Sequence, residues 1–229
     1  MPSVLITGAN RGIGLEFARQ YAANGWRVFA CCRALEKATP LNQLMADHPG
    51  AVFVHPMDVT DSDAIAAVAS TLKREAIDVL INNAGVAGGG GSGPVDFDNF
   101  TQVLAVNTLG PVRVAEAFAD HVATSNLKTM VSITSGMGSI NDNGSGGYLA
   151  YRTSKAALNM AVRTLAHDFS NRLVIAIALN PGWVKTDMGG SGATRTPEDS
   201  VAAMRKVIDG LGPQDTGKFF NHSGEEFPW

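Results

Sequence analysis

The sequence predicts an α/β fold in which one doubly wound parallel sheet of about seven strands carries helices on both faces. Three observations lead there. Short apolar, β-branched runs alternate with segments of helical period along the whole 229-residue chain. A glycine-rich turn follows the first run, and a small polar turn follows the fourth, where ligands of open parallel sheets lie, outside a strand's carboxyl end. With 45% hydrophobic residues and no linker-like stretch, residues 1–229 are expected to form a single domain around one well-buried core.

The first strand, Val4 to Thr7, runs into Gly8-Ala9-Asn10-Arg11-Gly12-Ile13-Gly14 and then an amphipathic stretch with Leu15, Ala18 and Tyr21 on one side. Glycines let the backbone approach a pyrophosphate closely, and the unpaired N–H groups of the first helical turn point at its charge. This turn is therefore read as a dinucleotide cradle. Gly25 caps the helix, and Val28 to Cys32 reads as the second strand, followed by Arg33. A site for NAD usually places an Asp or Glu near this strand end to hold the ribose 2′-hydroxyl. Cys31 and Cys32 stand there instead, while Arg33 and Arg11 offer guanidiniums suited to a 2′-phosphate, so NADP is expected over NAD.

Helical signals continue unevenly past Pro40 through Leu41, Leu44 and Met45, and the third strand, Val52 to Val54, leads to Met57-Asp58-Val59. Asp58 can accept a bond from an adenine amino group there; helix capping around Thr60 and Asp61 is the rival account of these acidic residues. A helix with Ile65, Val68, Ala69 and Leu72 returns to the fourth strand, Val79 to Ile81, and to the turn Asn82-Asn83-Ala84-Gly85. Gly88 to Gly91 with Gly93-Pro94 predict a mobile loop. One helix is then expected from about Phe97 to His121, with Phe100, Val103, Leu104 and Val106 at core spacing, Asn107 mid-length and Gly110-Pro111 just beyond. A buried Asn beside a proline-disturbed turn can bind a freed carbonyl or a water.

The fifth strand, Met130 to Thr134, delivers Ser135 to the same sheet edge, and a Gly/Asn/Asp-rich loop leads to the helix holding Tyr151-Arg152-Thr153-Ser154-Lys155. A phenol and an ammonium four residues apart share one helix face. Phenols titrate near pH 10, so ionising one near neutrality takes a drop of about 3 pH units, roughly 4 kcal/mol. One ammonium about 4 Å away supplies about that much at an effective dielectric of about 20, and the cationic ring of an oxidised nicotinamide adds to it, so Tyr151 is expected to be made acidic. The sixth strand, Val174 to Leu179, ends at Asn180-Pro181-Gly182. A glycine-rich stretch from Trp183 to Thr196 is expected to be flexible, before a last helix around Val201 to Leu211 and a short strand at Phe219-Phe220.

Composition excludes several classes of function. A net charge of −3, a pI near 5.9 and no basic stripe argue against nucleic acid as a partner. Apolar runs such as Val174 to Leu179 are far below the 20 or so residues that cross a bilayer, and a strand beginning at Ser3 leaves no room for a leader, so no membrane partner and no signal peptide are expected. Adjacent Cys31 and Cys32 cannot form an ordinary disulfide, which suits a reducing, cytoplasmic setting. His48, His55, His121, His167 and His222 lack ligand spacing, so no metal site is expected.

Thr7-Gly8-x-x-x-Gly12-x-Gly14, Asn82-Asn83-Ala84-Gly85, Asn107, Ser135, Tyr151-x-x-x-Lys155 and Pro181-Gly182-x-x-x-Thr186 resemble, in order and spacing, the short-chain dehydrogenases/reductases, a Rossmann-type family. The Tyr148 to Lys155 stretch and the ending Phe219 to Trp229 look like the small carbonyl reductases of the sniffer and C-factor type. The resemblance implies that Tyr151 exchanges the proton, Lys155 binds the nicotinamide ribose and lowers the phenol's pKa, Ser135 orients the substrate oxygen and Asn107 holds a relay water. It places NADP against Gly8, Asn10, Arg11, Gly12, Ile13, Gly14, Arg33, Asp58, Val59, Asn83, Ala84 and Gly85, then Pro181, Gly182, Val184 and Thr186, besides Tyr151 and Lys155. It implies hydride transfer between NADP(H) and a small aldehyde, ketone or alcohol, in a homodimer or homotetramer that pairs the helix beginning near Tyr151. A cofactor-binding signalling protein of C-factor type with little turnover is the alternative.

Two departures bear on the site. Ser135 and Tyr151 lie 16 positions apart, slightly more than the family commonly shows, with Asn141 to Gly147 as the place of an insertion, so Ser139 competes with Ser135. Tyr148 is a rival phenol, but the residue four positions on is Arg152, where the family has Lys. A short segment after Pro181 implies a small lid over an open pocket. Met137, Ile140, Tyr148, Trp183 and Met188 are expected either to line that pocket or to pack in the core.

Overall fold

All five residues of β1 (Ser3–Thr7) are buried, and its alternation builds two cores at once. Val4 and Ile6 enter the cluster on one sheet face and Leu5 the cluster on the other, since successive strand side chains point to opposite sides. The computed structural model describes residues 1–89 and 93–229, so the loop expected at 88–91 falls partly outside the described residues. With β2 (Arg27–Cys32), β3 (Val52–Pro56), β4 (Val79–Asn82), β5 (Thr129–Ile133), β6 (Ile175–Asn180) and β7 (Phe219–Asn221), the sheet has the order β3-β2-β1-β4-β5-β6-β7. Every pairing is parallel. The direction of strand addition reverses between β1 and β4, which opens the crevice at their carboxyl ends.

Helices α1 (Gly12–Ala23), α2 (Thr39–Asp47) and α8 (Pro197–Asp209) bring Phe17, Tyr21, Leu41, Met204 and Ile208 to the first face. Each fully buried side chain of this size contributes about 2–3 kcal/mol of transfer free energy. On the second face α3 (Ser62–Thr71) supplies Ile65, and α7 (Leu149–Asp168) packs Leu158 and Val162 against Ala178 and Phe219. Gly25, at φ 75°, ends α1 as expected: its N–H reaches the Ala22 carbonyl and that of Trp26 reaches Tyr21, satisfying carbonyls the helix leaves open. No helix of the described residues is long and apolar enough to cross a membrane.

The single helix expected from Phe97 to His121 is instead four pieces: α4 (Phe97–Leu104), a π-helical turn at Ala105–Leu109, α5 (Gly110–Ala117) and α6 (Ala119–Ala123). Pro111 brings no N–H to the Asn107 carbonyl, so the ordinary ladder cannot pass this point and the turn widens. Gly110 packs so closely on α3's approach that a Cβ there would stand 2.8 Å from Val59 Cγ2. The glycine-rich segment between β6 and α8 carries ties of its own. It is tied by Lys185 N–H to Arg195 O (2.8 Å) and by the Trp183 indole to Gly189 O (2.8 Å), and Thr196 caps α8 through Asp199 N–H.

Candidate active site

The glycine turn after β1 and the Asn83-Ala84-Gly85 turn after β4 are fastened together. The Thr7 hydroxyl accepts the N–H groups of Asn83 and Ala84, both at 3.0 Å, while the Asn83 amide donates to the Thr7 and Gly8 carbonyls. Gly8, at φ 65°, sits so near that a Cβ would come 2.9 Å from Ala84 Cα, and a Cβ on Gly14 would collide with the Asn83 amide. The Asn83 side chain thus holds the two loops in register, a task its place in the motif does not reveal. Asp61, Asp96 and Thr196 cap α3, α4 and α8, whereas Arg11 lends α1 no side-chain acceptor. The first N–H groups of α1 are left to an external anion, and a glycine-lined, uncapped helix start fits a dinucleotide pyrophosphate.

Around that cradle the predicted contact residues divide. Arg33 is exposed at the end of β2 and enters no ion pair among the described residues. Arg11 instead pairs with Asp187 at 2.7 Å, bridging the glycine turn to the segment after β6. Asp58 Oδ1 accepts the N–H and hydroxyl of Thr60, and Asp61 is the helix cap, so the capping account holds for Asp61 and one Asp58 oxygen is already taken. Val59 is buried against Gly110. Gly182, at φ 77°, leaves Pro181 free to accept the buried Ser200 hydroxyl (2.7 Å), and Thr186 lies against Gly12. Asn10 and Ile13 lie in the same turn.

Tyr151 and Lys155 occupy the first two turns of α7, beside Ser135 at the end of β5. The Ser135 hydroxyl accepts Met137 N–H at 3.1 Å, which leaves its proton free to donate. Burial pushes the Tyr151 phenol up, and the Ser135 hydroxyl against it pulls it partly back. Without cofactor, burial thus outweighs any acidification of the phenol by Lys155. The Lys155 ammonium is 5.8 Å from the Tyr151 ring centroid, donates to the Ile133 carbonyl at 2.8 Å, and is itself pushed down to about 8 by burial. The ammonium's one hydrogen bond thus goes to the main chain and not to the phenol oxygen.

Asn107 is fully buried and saturated. Its Oδ1 accepts Val86 N–H at 2.8 Å, and its amide donates to Val86 O at 2.8 Å and to the Ser154 hydroxyl at 3.0 Å. Both N–H groups of its amide are thus committed to protein acceptors and neither is left for a water. Ser154 passes the contact on, donating to Tyr151 O at 2.8 Å, while the Thr108 hydroxyl donates to Ser154 O. Ser154, Thr108, Asn159 and Thr7 are site residues to which sequence reasoning assigned no role. Only Thr7 carried a signal, as the residue ahead of the glycine turn. Ser139, the rival serine, spends its hydroxyl on Trp229 O (3.0 Å) and Asp142 N–H (3.1 Å). Tyr148, at φ 50°, precedes α7 and is half exposed. Ile140, Trp183 and Met188 are exposed too, so these four are not core, while Met137 is half-buried.

A family model described as short chain dehydrogenase matches residues 2–196. The C-signal protein of Myxococcus xanthus is 45% identical over 164 residues, which is 71% of this chain and 99% of that one. Among solved structures, the carbonyl reductase Sniffer of D. melanogaster superposes with a TM-score of 0.93 at 32% identity, covering 100% of both chains. An NADPH-bound carbonyl reductase from chicken fatty liver gives 0.90 at 35% identity, covering 100% of this chain and 99% of that one.

Proposed function

The chain belongs to the short-chain dehydrogenases, and from that premise we propose that it reduces an aldehyde or ketone to an alcohol with NADPH, Tyr151 acting as the general acid. The observation that carries this reading is the Tyr151 phenol lying against Ser135 at the carboxyl edge of the sheet, with Lys155 buried behind it. Bound NADPH supplies the hydride. The glycine turn and the first N–H groups of α1 hold its pyrophosphate, and Arg33 faces its 2′-phosphate.

As a carbonyl carbon is reduced, negative charge grows on its oxygen, and donors already aimed there stabilise the transition state more than the ground state. Ser135 Oγ and Tyr151 Oη are those donors. A phenol held above its ordinary pKa is fully protonated at neutral pH, so Tyr151 Oη is charged with the proton that the nascent alkoxide takes. Lys155 Nζ, at about 8, exchanges protons near neutrality and can restore it. The exposed apolar residues Phe97, Leu109 and Met160 on α4, the π turn and α7 support a homo-oligomer through these helices, which light scattering of the purified protein tests.

The reading is tested by purified protein with NADPH and a panel of aromatic aldehydes and diketones. Tyr151→Phe abolishes turnover while fluorescence titration gives nearly unchanged NADPH binding. The name of the C-signal relative favours a second reading, a cofactor-binding signalling protein. NADPH binding without Tyr151-dependent turnover of any substrate would decide for it.

A further inference from the structure

We propose that Phe227 and Trp229 are positioning residues, which hold the Ser135 turn and the loop at 139–148 in place and so set which carbonyl substrates fit. The inference rests on the reductase reading above.

The turn after Ser135 is gripped from two sides. Toward α7, Gly138 is so tight that a Cβ would stand 2.8 Å from Lys155 Cβ, and Asn159, itself held by the Thr134 hydroxyl, donates to the Gly138 carbonyl. On the other side the Phe227 ring covers Gly136, 3.2 Å from where its Cβ would be. Moving Phe227 therefore frees the residue next to Ser135.

Trp229 anchors the loop beyond that turn. Its main-chain oxygen accepts both the Ser139 hydroxyl (3.0 Å) and Asn141 N–H (2.8 Å), and Ser139 in turn accepts Asp142 N–H. The loop that continues from these residues carries Ile140 and Tyr148, 79% and 49% exposed, as an apolar wall with no core to anchor it. Its support is the segment at 225–229, which is itself fixed. Phe227 N–H donates to Phe219 O at 2.7 Å, and the Phe227 and Trp229 rings pack on Phe219 with centroids 5.0 and 5.5 Å away. The Arg163 guanidinium lies 5.5 Å from the Trp229 ring centroid. Removing the indole leaves the oxygen in the chain but releases it from α7 and β7, and the loop and wall move with it.

The experiment compares wild type, Trp229→Ala, Trp229→Phe and Phe227→Ala in kcat/KM for a bulky aryl aldehyde and a small aliphatic aldehyde, beside NADPH Kd. Trp229→Ala should change the ratio of the two kcat/KM values by about tenfold, because small displacements near a reacting centre cost factors of that order. NADPH Kd should stay within about twofold of wild type, and Trp229→Phe should restore most of the ratio. Phe227→Ala should lower kcat on both substrates, as Ser135 loosens. An unchanged ratio, or a loss of NADPH affinity equal to the loss of kcat/KM, overturns the proposal. If Trp229→Ala does not fold, Ser139→Ala removes one of the two hydrogen bonds to the Trp229 oxygen, and the same ratio decides. Wild type without Tyr151-dependent turnover would sink the reductase reading itself, an outcome separate from an unchanged ratio in an active enzyme.

Discussion

Replacing Lys155 by Met should make the cofactor-free chain more stable while it destroys turnover. Lys155 is 4% exposed, pairs with no carboxylate among the described residues, and has one hydrogen bond, to Ile133 O at 2.8 Å. Burial takes its pKa from 10.5 to about 8. At about 1.4 kcal/mol per pH unit, the native state bears roughly 3 kcal/mol for keeping this ammonium charged at pH 7. The Met variant escapes that cost and loses about 1 kcal/mol with the Ile133 hydrogen bond, for a net gain of about 2 kcal/mol. In a domain of this size that raises Tm by about 4–8 °C. The sign with pH is set by the depressed pKa. Between about 8 and 10.5 the unfolded chain keeps the proton and the folded chain does not, so wild-type stability rises across this window and the gap to the variant closes. Thermal unfolding followed by circular dichroism at pH 7 and near pH 10 measures both. A variant less stable than wild type at pH 7, or a gap that does not narrow, refutes the reasoning and makes Lys155 a structural residue.

For cofactor choice, the proposed contact of the exposed Arg33 guanidinium with a 2′-phosphate predicts that Arg33→Ala raises KM for NADPH and barely touches NADH; equal effects in steady-state rates would remove Arg33 from the site. Gly14→Ala should weaken NADPH binding at least about tenfold in fluorescence titration and lower Tm, because the added methyl displaces the Asn83 amide that joins the two turns. An affinity equal to wild type would mean that the turns accommodate the methyl without parting.

Strands and their order of appearance were legible because each is a short apolar run bounded by turn residues, and β1, β2 and β4 lie within about one residue of their expected limits. The break at the π turn was not. Val103 and Val106 keep helical spacing through it, and Pro111 is as acceptable in the first turn of a new helix as it is disruptive inside an old one. The members of the candidate site were legible too, because spacing along one helix or at one strand end marks Tyr151, Lys155 and Ser135. Their orientation was not, because it is set across the chain: Lys155 by Ile133, Asn107 by Val86 and Ser154, Asn83 by Thr7 and Gly8.

That difference explains why Tyr151 is not acidic in the cofactor-free chain. The i, i+4 spacing counts an ammonium beside a phenol, but only the fold says that both are buried and that the ammonium is turned to a carbonyl. With the charge so placed, the cofactor-free site favours a protonated phenol and a lysine near neutrality, a proton-loaded state suited to reduction. Oxidation of an alcohol needs the opposite state, so its rate should climb with pH well above neutrality while reduction falls as Lys155 loses its proton near pH 8. Rate profiles of the two directions that rise and fall together would remove Lys155 from the proton path.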